Sequence, residues 1–584
     1  MKEKKKTQEN NKETKKKINI SKEARFTIMA ILLLIVFSVA VTPVTLQNDT
    51  FYNIKVGEHI QNYGVDMKEP FSWHEGLIYT YPHWIYDLIT YNIYEVWGMQ
   101  GIYIATCILS CVLGISLFLV TEKLTKNKVI SFIVTIGAMS VLKPYIAARA
   151  QLVTFILFIW TIYFIEKFIE TKKIPYGIAL IIIPILIANI HAAVWPFYFV
   201  LYLPYVAEYL LAVITDTILY SKIQMKLLNL QIKRIQKMQL KGKAIKEEKL
   251  NKLKEKKKDI EIQTSKIKIR REESKRKPYK IEIIRNRNVK YLIIIMIICA
   301  FTGLLTPIGD TPYTYLYKTM MGNTTQSINE HLPMTLVENI EAMCMIIIFL
   351  AVLTFTKTKI RLSDLFFIGG LCYLMLMTRR QITMFAIVGT VILTRMLIDM
   401  FKEYNVQLDT FLTTITKPIV SLFIIVLIGF ISYKMIKPKL DDEYISKTSY
   451  PVEACDFILE NVDLAKARFY NEYNYGSYML FRGIPVFIDS RADVYDPQFN
   501  GLEDDIFSDF ISTSGISTFY EDIFEKYNIT HVITYKNSKM NMIIKKTNDE
   551  NYKQIYEDDH FTVYERLNVK NKTEQSIETE KDNV

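Results

Sequence analysis

Long apolar runs alternate with polar connections over most of this chain. Runs of about 18 apolar residues can cross ~30 Å of hydrocarbon. They place spans at roughly 26–46, 101–120, 129–144, 151–168, 175–190, 194–215, 290–307, 338–356, 363–378, 382–400 and 418–436, about eleven in all. The runs are continuous rather than alternating, which predicts helices and not a barrel. The run 26–46 is too long for the apolar core of a cleaved signal and has no clear small-x-small site. It reads as a signal anchor.

Two stretches break this pattern. In the first connection, 47–100, Trp84, Ile85, Leu88, Ile89, Ile93 and Trp97 recur at helical spacing, with Asp87, Thr90 and Glu95 on other faces. That suits a helix lying along the membrane surface. From Lys437 onward charge rises and the apolar runs shorten. Helices are predicted at 451–461 and 517–527, strands at 468–471, 485–489 and 531–535, and a hairpin at 553–558 and 561–566. The expected fold class is a polytopic α-helical membrane protein with a C-terminal extracytoplasmic α/β domain over 437–570 and a disordered tail over 571–584.

Charge orients the chain. The connections 121–128, 166–173, 221–290, 357–361 and 401–417 carry Lys or Arg and read as inside, together with the basic tail 1–25. The alternate connections then face outside. The net charge of +12 follows this bias and does not indicate nucleic-acid binding. The insert 221–290 reads as a solvated basic loop that fixes orientation; a dock for anionic lipid or a partner is the alternative. Five of the six cysteines lie in apolar runs and Cys455 stands apart, so no disulfide framework or Cys metal cluster is implied.

Seven ionisable residues collect on the predicted outer side: Asp49, Arg149, His191, Asp310, Glu330, Arg379 and Arg380. Guanidinium groups grip phosphate oxygens in pairs, so the cations suit a phosphate at headgroup depth. The acids suit activation of a hydroxyl or amine, or capture of a divalent cation. Together they describe transfer from a lipid phosphate. Asp310, beside Pro307 and Gly309, also fits a turn, and His191 also fits a packed histidine at a helix end. Arg379 and Arg380 oppose the positive-inside bias and so need a functional reason. The turn Asp489, Arg491 and Asp493 reads as structural, with sugar contact as the alternative. No glycine-rich nucleotide loop is present.

Several motifs carry a resemblance. The first connection reads Asp49-Thr50-Phe51-Tyr52, Glu69-Pro70-Phe71-Ser72-Trp73 and His83-Trp84-Ile85. Further on come Ala148-Arg149-Ala150-Gln151, Asn189-Ile190-His191, Thr306-Pro307-Ile308-Gly309, Asn329-Glu330-His331-Leu332-Pro333 and Arg379-Arg380-Gln381. Tyr473-Asn474-Tyr475-Gly476 and Val486-Phe487-Ile488-Asp489 follow in the C-terminal part. The chain resembles the GT-C superfamily of membrane glycosyltransferases, which includes protein mannosyltransferases, aminoarabinose transferases and oligosaccharyltransferases.

The resemblance implies transfer of a sugar from a polyprenyl-phosphate carrier to a glycan, lipid or protein acceptor on the outer face of the cell membrane. Asp49 falls on the family's first-loop carboxylate and would be the base. Thr50 stands where many members carry a second acid. Arg149, Arg379 and Arg380, with His191, would hold the carrier phosphate, and Glu330 would orient the acceptor or sugar. Because the carrier is already activated, positioning and charge stabilisation would carry most of the rate. No cofactor is fixed by these residues, and a divalent cation is left open. Three other readings remain: a flippase for lipid-linked sugars, an inactive scaffold of the same fold, and an envelope polysaccharide polymerase or ligase.

Overall fold

The computed structural model describes residues 21–214, 217–239, 247–276, 280–547 and 549–567. The basic tail expected over 1–25 lies almost entirely outside them, and so does the tail over 571–584. Each of the eleven apolar runs coincides with an apolar helix. Among the described residues, seven helices are long and apolar enough to cross a membrane: Lys22–Val41, Trp84–Thr125, Lys128–Tyr145, Ala150–Thr171, Ala192–Ile214, Arg379–Glu403 and Pro418–Lys439. Four shorter ones complete the set: Ile174–Ile190, Val289–Leu304, Ile340–Phe355 and Leu362–Met377. The last long helix presents Ile419 and Phe423 outward, as a lipid-facing helix would.

The stretch 47–100 holds the helix expected from Trp84 onward and a further one before it. Asn48–Tyr63 forms its own helix, and Trp84 begins a helix that runs to Thr125. The two halves of that long helix join at Gly98, whose φ of 60° turns the chain. Such an angle is readily available only to glycine. Gly57 lets the shorter helix press against the longer one: a Cβ there would lie 2.1 Å from the Asp87 carbonyl oxygen.

The first connection shares a core with the C-terminal region. Phe51, Tyr52, Val56 and Tyr81 are buried with Tyr450, Tyr478, Phe487 and Val532. The Phe51 ring stands edge-on to Tyr450 at 4.9 Å and to Tyr478 at 5.1 Å. A four-stranded sheet runs in the order Phe469–Tyr470, His531–Tyr535, Phe561–Arg566, Tyr552–Glu557. The first pair is parallel and the others are antiparallel. Residues 485–489, expected as a strand, make only one bridge, Val486 to Ser72 of the first connection. Its partner is remote in sequence, so no local hairpin could extend it.

A buried charge cluster fastens these parts. Arg491 Nη1 lies 2.5 Å from Glu69 Oε2, and its Nη2 lies 2.6 Å from Asp489 Oδ2. The Tyr495 hydroxyl donates to the same Asp489 oxygen at 2.6 Å. A second ion cluster closes the far end of the helical bundle. There Arg361 pairs with Glu166 at 2.7 Å and Arg395 with Asp364 at 2.6 Å. Glu166 lies near the end of the helix that Arg149 precedes, roughly 25 Å away at 1.5 Å per residue.

Candidate functional site

A cavity of about 500 Å³ opens where the helix ends meet the C-terminal region. Five of the six expected site residues line it: Asp49, Arg149, His191, Glu330 and Arg380. They arrive from separate segments, and local structure places each. Asp49 sits in the first turn of the helix Asn48–Tyr63, where the helix dipole favours a carboxylate. Arg149 is extended (φ −135°, ψ 150°) just before the helix Ala150–Thr171, which throws its side chain inward across the helix mouth. Glu330 and Arg380 come together because the Arg380 amide donates to the Glu330 carbonyl at 3.0 Å, while the Arg379 amide donates to Leu332 at 2.9 Å.

Arg149 is the hub. Its Nε lies 2.7 Å from Asp49 Oδ2, and its Nη1 lies 2.5 Å from Glu330 Oε1. Burial works against the Arg149 charge, but the two carboxylates outweigh it and hold the guanidinium more firmly protonated than usual. Burial likewise raises the Glu330 carboxyl, yet Arg149 and Arg380 pull it below the ordinary range. Asp49, expected as a free base, is instead compensated by a cation in direct contact.

The twin arginines part company. Arg379 does not line the cavity: its Nη2 pairs with Glu338 Oε2 at 2.8 Å, and its carbonyl accepts from the Tyr145 hydroxyl at 2.9 Å. Adjacent residues on a tight turn point different ways, so Arg380 lines the cavity and Arg379 does not. Among the described residues, the Arg380 guanidinium has no carboxylate in ion-pair contact. Its charge reaches His83, His191, His331 and Glu330. Asp310, on the other hand, is exposed at the start of the helix Thr311–Met321 and away from the cavity lining.

His191 is buried and shares a 2.9 Å hydrogen bond between Nδ1 and the Thr154 hydroxyl. Its ring lies 4.8 Å from that of His83. Burial first, and then Arg380 and Arg149, push His83 down to about 3. Burial and Arg380 take His331 down to about 4, against Glu330. These two rings are therefore neutral hydrogen-bonding groups at neutral pH and not additional cations.

The cavity also holds residues that the sequence reading passed over or took as structural. Glu472, Tyr473, Asn474, Ser490 and Asp493 line it, facing Tyr315 from the helix Thr311–Met321. Tyr315 donates a hydrogen bond to Asp493 and packs edge-on to Phe499 at 5.1 Å. Burial raises Glu472 to about 7, with Thr534 working the other way, and raises Asp493 to about 7, reinforced by Asp496. Glu472 directly precedes the Tyr473-Asn474-Tyr475-Gly476 run, which was the one available signal for it.

Among the described residues, no three His, Cys, Asp or Glu side chains gather as a metal site. With Asp49 and Glu330 both committed to Arg149, the residues present do not fit a divalent cation.

The described residues thus form an apolar helical bundle beside a small sheet-containing region, with a charged cavity at their junction. No protein-family profile matches the sequence, and no curated protein matches it. Solved structures do match in fold. The archaeal oligosaccharyltransferase AglB from Archaeoglobus fulgidus, in complex with an inhibitory peptide and a dolichol-phosphate, aligns with a TM-score of 0.51 at 11% identity, covering 88% of this chain and 70% of that one. The apo form of the Archaeoglobus fulgidus oligosaccharyltransferase aligns with a TM-score of 0.51 at 12% identity, over 88% and 69%. AglB is a GT-C superfamily member, so the expected fold resemblance holds. At these identities the likeness is one of fold.

Proposed function

We propose that this protein is a membrane glycosyltransferase that moves a sugar from a polyprenyl-phosphate carrier to an acceptor on the outer face of the membrane. The observation that carries this reading is the meeting of Asp49, Arg149, Glu330 and Arg380 at one cavity beside the helix ends, in a chain with an oligosaccharyltransferase fold. In this reading the N-terminus is cytoplasmic, and the cavity and the C-terminal region face outward. A carrier's lipid tail lies among the apolar helices, and its phosphate reaches the cavity. The AglB structure with a dolichol-phosphate is consistent with such a donor.

The roles follow from charge. Arg380 takes the carrier phosphate, because an uncommitted guanidinium is what a phosphate oxygen pair requires. His83 and His191 offer neutral hydrogen bonds beside it. Arg149 adds a second positive charge, held in place by Asp49 and Glu330. Asp49 therefore acts by positioning Arg149. As the sugar leaves, charge builds on the phosphate oxygen, and cations fixed beforehand stabilise it without reorganising.

The test is transfer by the full-length protein in lipid vesicles, supplied with radiolabelled polyprenyl-phosphate sugars and a membrane extract as the acceptor source. Labelled product with wild type, its loss with Arg380→Ala and its reduction at low donor concentration with Asp49→Asn, at unchanged folding, supports the reading. Movement of the donor between leaflets without any product means a flippase and refutes transfer.

A further inference from the structure

The positive charge of this chain is concentrated far from the cavity, in the basic insert. Residues 217–276 hold twenty Lys and Arg against seven Asp and Glu, a net +13 that exceeds the +12 of the whole chain. Two helices make up most of this segment, Thr217–Gln239 and Glu247–Arg276, and they pack against each other. Leu228 of the first and Ile260 of the second are buried. The charges are unevenly shared. All seven acids fall on the second helix, and the first has none. The first helix instead carries five cations, Lys222, Lys226, Lys233, Arg234 and Lys237, all exposed.

That helix also has a second apolar stripe. Tyr220, Ile223, Leu227 and Leu230 are each at least half exposed. At about 100° per residue these four lie within about 80° of one another, turned away from Leu228. The five cations border the stripe. A loop that only fixes orientation needs Lys and Arg, but it has no use for a row of exposed Ile and Leu. Cations beside an apolar stripe, without acids, are the composition of a helix that lies in a headgroup layer. The helix also starts at the right place: only two residues separate it from the apolar helix Ala192–Ile214.

We propose that the helix Thr217–Gln239 docks on an anionic phospholipid leaflet, with Tyr220, Ile223, Leu227 and Leu230 in the headgroup layer and its cations on the lipid phosphates. Each cation near such a surface adds to the attraction, and the apolar side chains set the depth. The other occupants of a basic surface fit less of it. A nucleic acid would take the cations and leave the apolar stripe in water. A second copy of the same hairpin would set like charge against like. The docking is independent of the glycosyltransferase reading and stands or falls by itself.

Hydrogen exchange of the full-length protein in lipid nanodiscs tests this. Discs of phosphatidylcholine alone are compared with discs of phosphatidylcholine mixed with phosphatidylglycerol. Amides over 217–239 should exchange about tenfold more slowly in the anionic discs. Salt at about 1 M should remove the difference, because the Debye length falls to about 3 Å. Two variants separate the contributions, and both change only exposed side chains. The first combines Lys222→Gln, Lys226→Gln, Lys233→Gln and Lys237→Gln, and the second combines Ile223→Gln and Leu227→Gln. Each should lose the protection, with exchange over 150–171 unchanged as the control for folding. Equal exchange of wild type in the two kinds of disc overturns the proposal. Protection that survives the four lysine changes overturns it too, since lipid charge would then play no part. Protection by added transfer RNA over neutral discs, with none from phosphatidylglycerol, overturns it in favour of a nucleic-acid dock.

Discussion

Arg149 Nε stands 2.7 Å from Asp49 Oδ2, so the first-loop acid meets its cation directly across the mouth of the cavity. Glu330 holds the other side of the same guanidinium. Removing either carboxylate frees Arg149 to swing and weakens the cationic wall. Asp49→Asn and Glu330→Gln should each raise the donor KM about tenfold, the scale of one charge-assisted hydrogen bond, with a smaller effect on kcat. Steady-state kinetics over a range of donor concentrations separates the two. A loss confined to kcat for Asp49→Asn would restore that residue as the base.

Arg379 and Arg380 are neighbours with different work. Arg380 lines the cavity, whereas Arg379 is bound to Glu338 outside it. Arg380→Ala should abolish measurable binding of a polyprenyl phosphate, and Arg379→Ala should leave the affinity within about threefold. An exposed partner such as Glu338 limits the stability effect of Arg379→Ala to under about 1 kcal/mol. Titration of fluorescent polyprenyl phosphate against each variant reads the difference.

Arg491 ties the first connection to the C-terminal region through Glu69 and Asp489, all three almost fully buried. Arg491→Met leaves two buried carboxylates without a cation and should cost about 3–5 kcal/mol. The loss should appear as a lower melting temperature and as faster amide exchange over 66–81, the segment the latch secures. Unchanged exchange there would mean that the shared core alone holds the two parts together.

Glu472 gives the fold a pH dependence. Burial lifts its carboxyl from 4.5 to about 7, against the opposing Thr534 hydrogen bond. The folded state therefore prefers the neutral acid. Its contribution is fully present below the unfolded value and is lost as pH rises through about 7. Glu472→Gln should raise the melting temperature by a few degrees at pH 8 and leave it unchanged at pH 4. Thermal unfolding of both proteins across that range checks the sign.

The sequence carried the helical scaffold well, because a membrane-spanning helix must be a continuous apolar run and each of the eleven runs is helical. It also carried the residue types of the site, since charges near helix ends are costly enough to stand out. Pairing was not legible. Glu69 and Arg491 are 422 positions apart, and nothing local in either segment specifies the other. The division of labour between Arg379 and Arg380 depends on one tight turn and its hydrogen bonds to Glu330 and Leu332. Tyr473–Phe481 forms a helix although Tyr, Asn and Gly dominate its start, because Gly476 lets the backbone approach Ile488, where a Cβ would lie 2.0 Å from the carbonyl oxygen. Asp493 stayed hidden for the same reason: its setting is made by Tyr315, which lies 178 positions earlier.

The most direct measurement is photolabelling of the full-length protein in vesicles, with a polyprenyl-phosphate sugar carrying a diazirine on the sugar, followed by peptide mapping. Adducts should fall on peptides that line the cavity, those holding Glu330 and Asp493, and should disappear in Arg380→Ala. Adducts confined to lipid-facing helices such as Pro418–Ile436, or unaffected by Arg380→Ala, would contradict the cavity as the place where the carrier's phosphate and sugar are held.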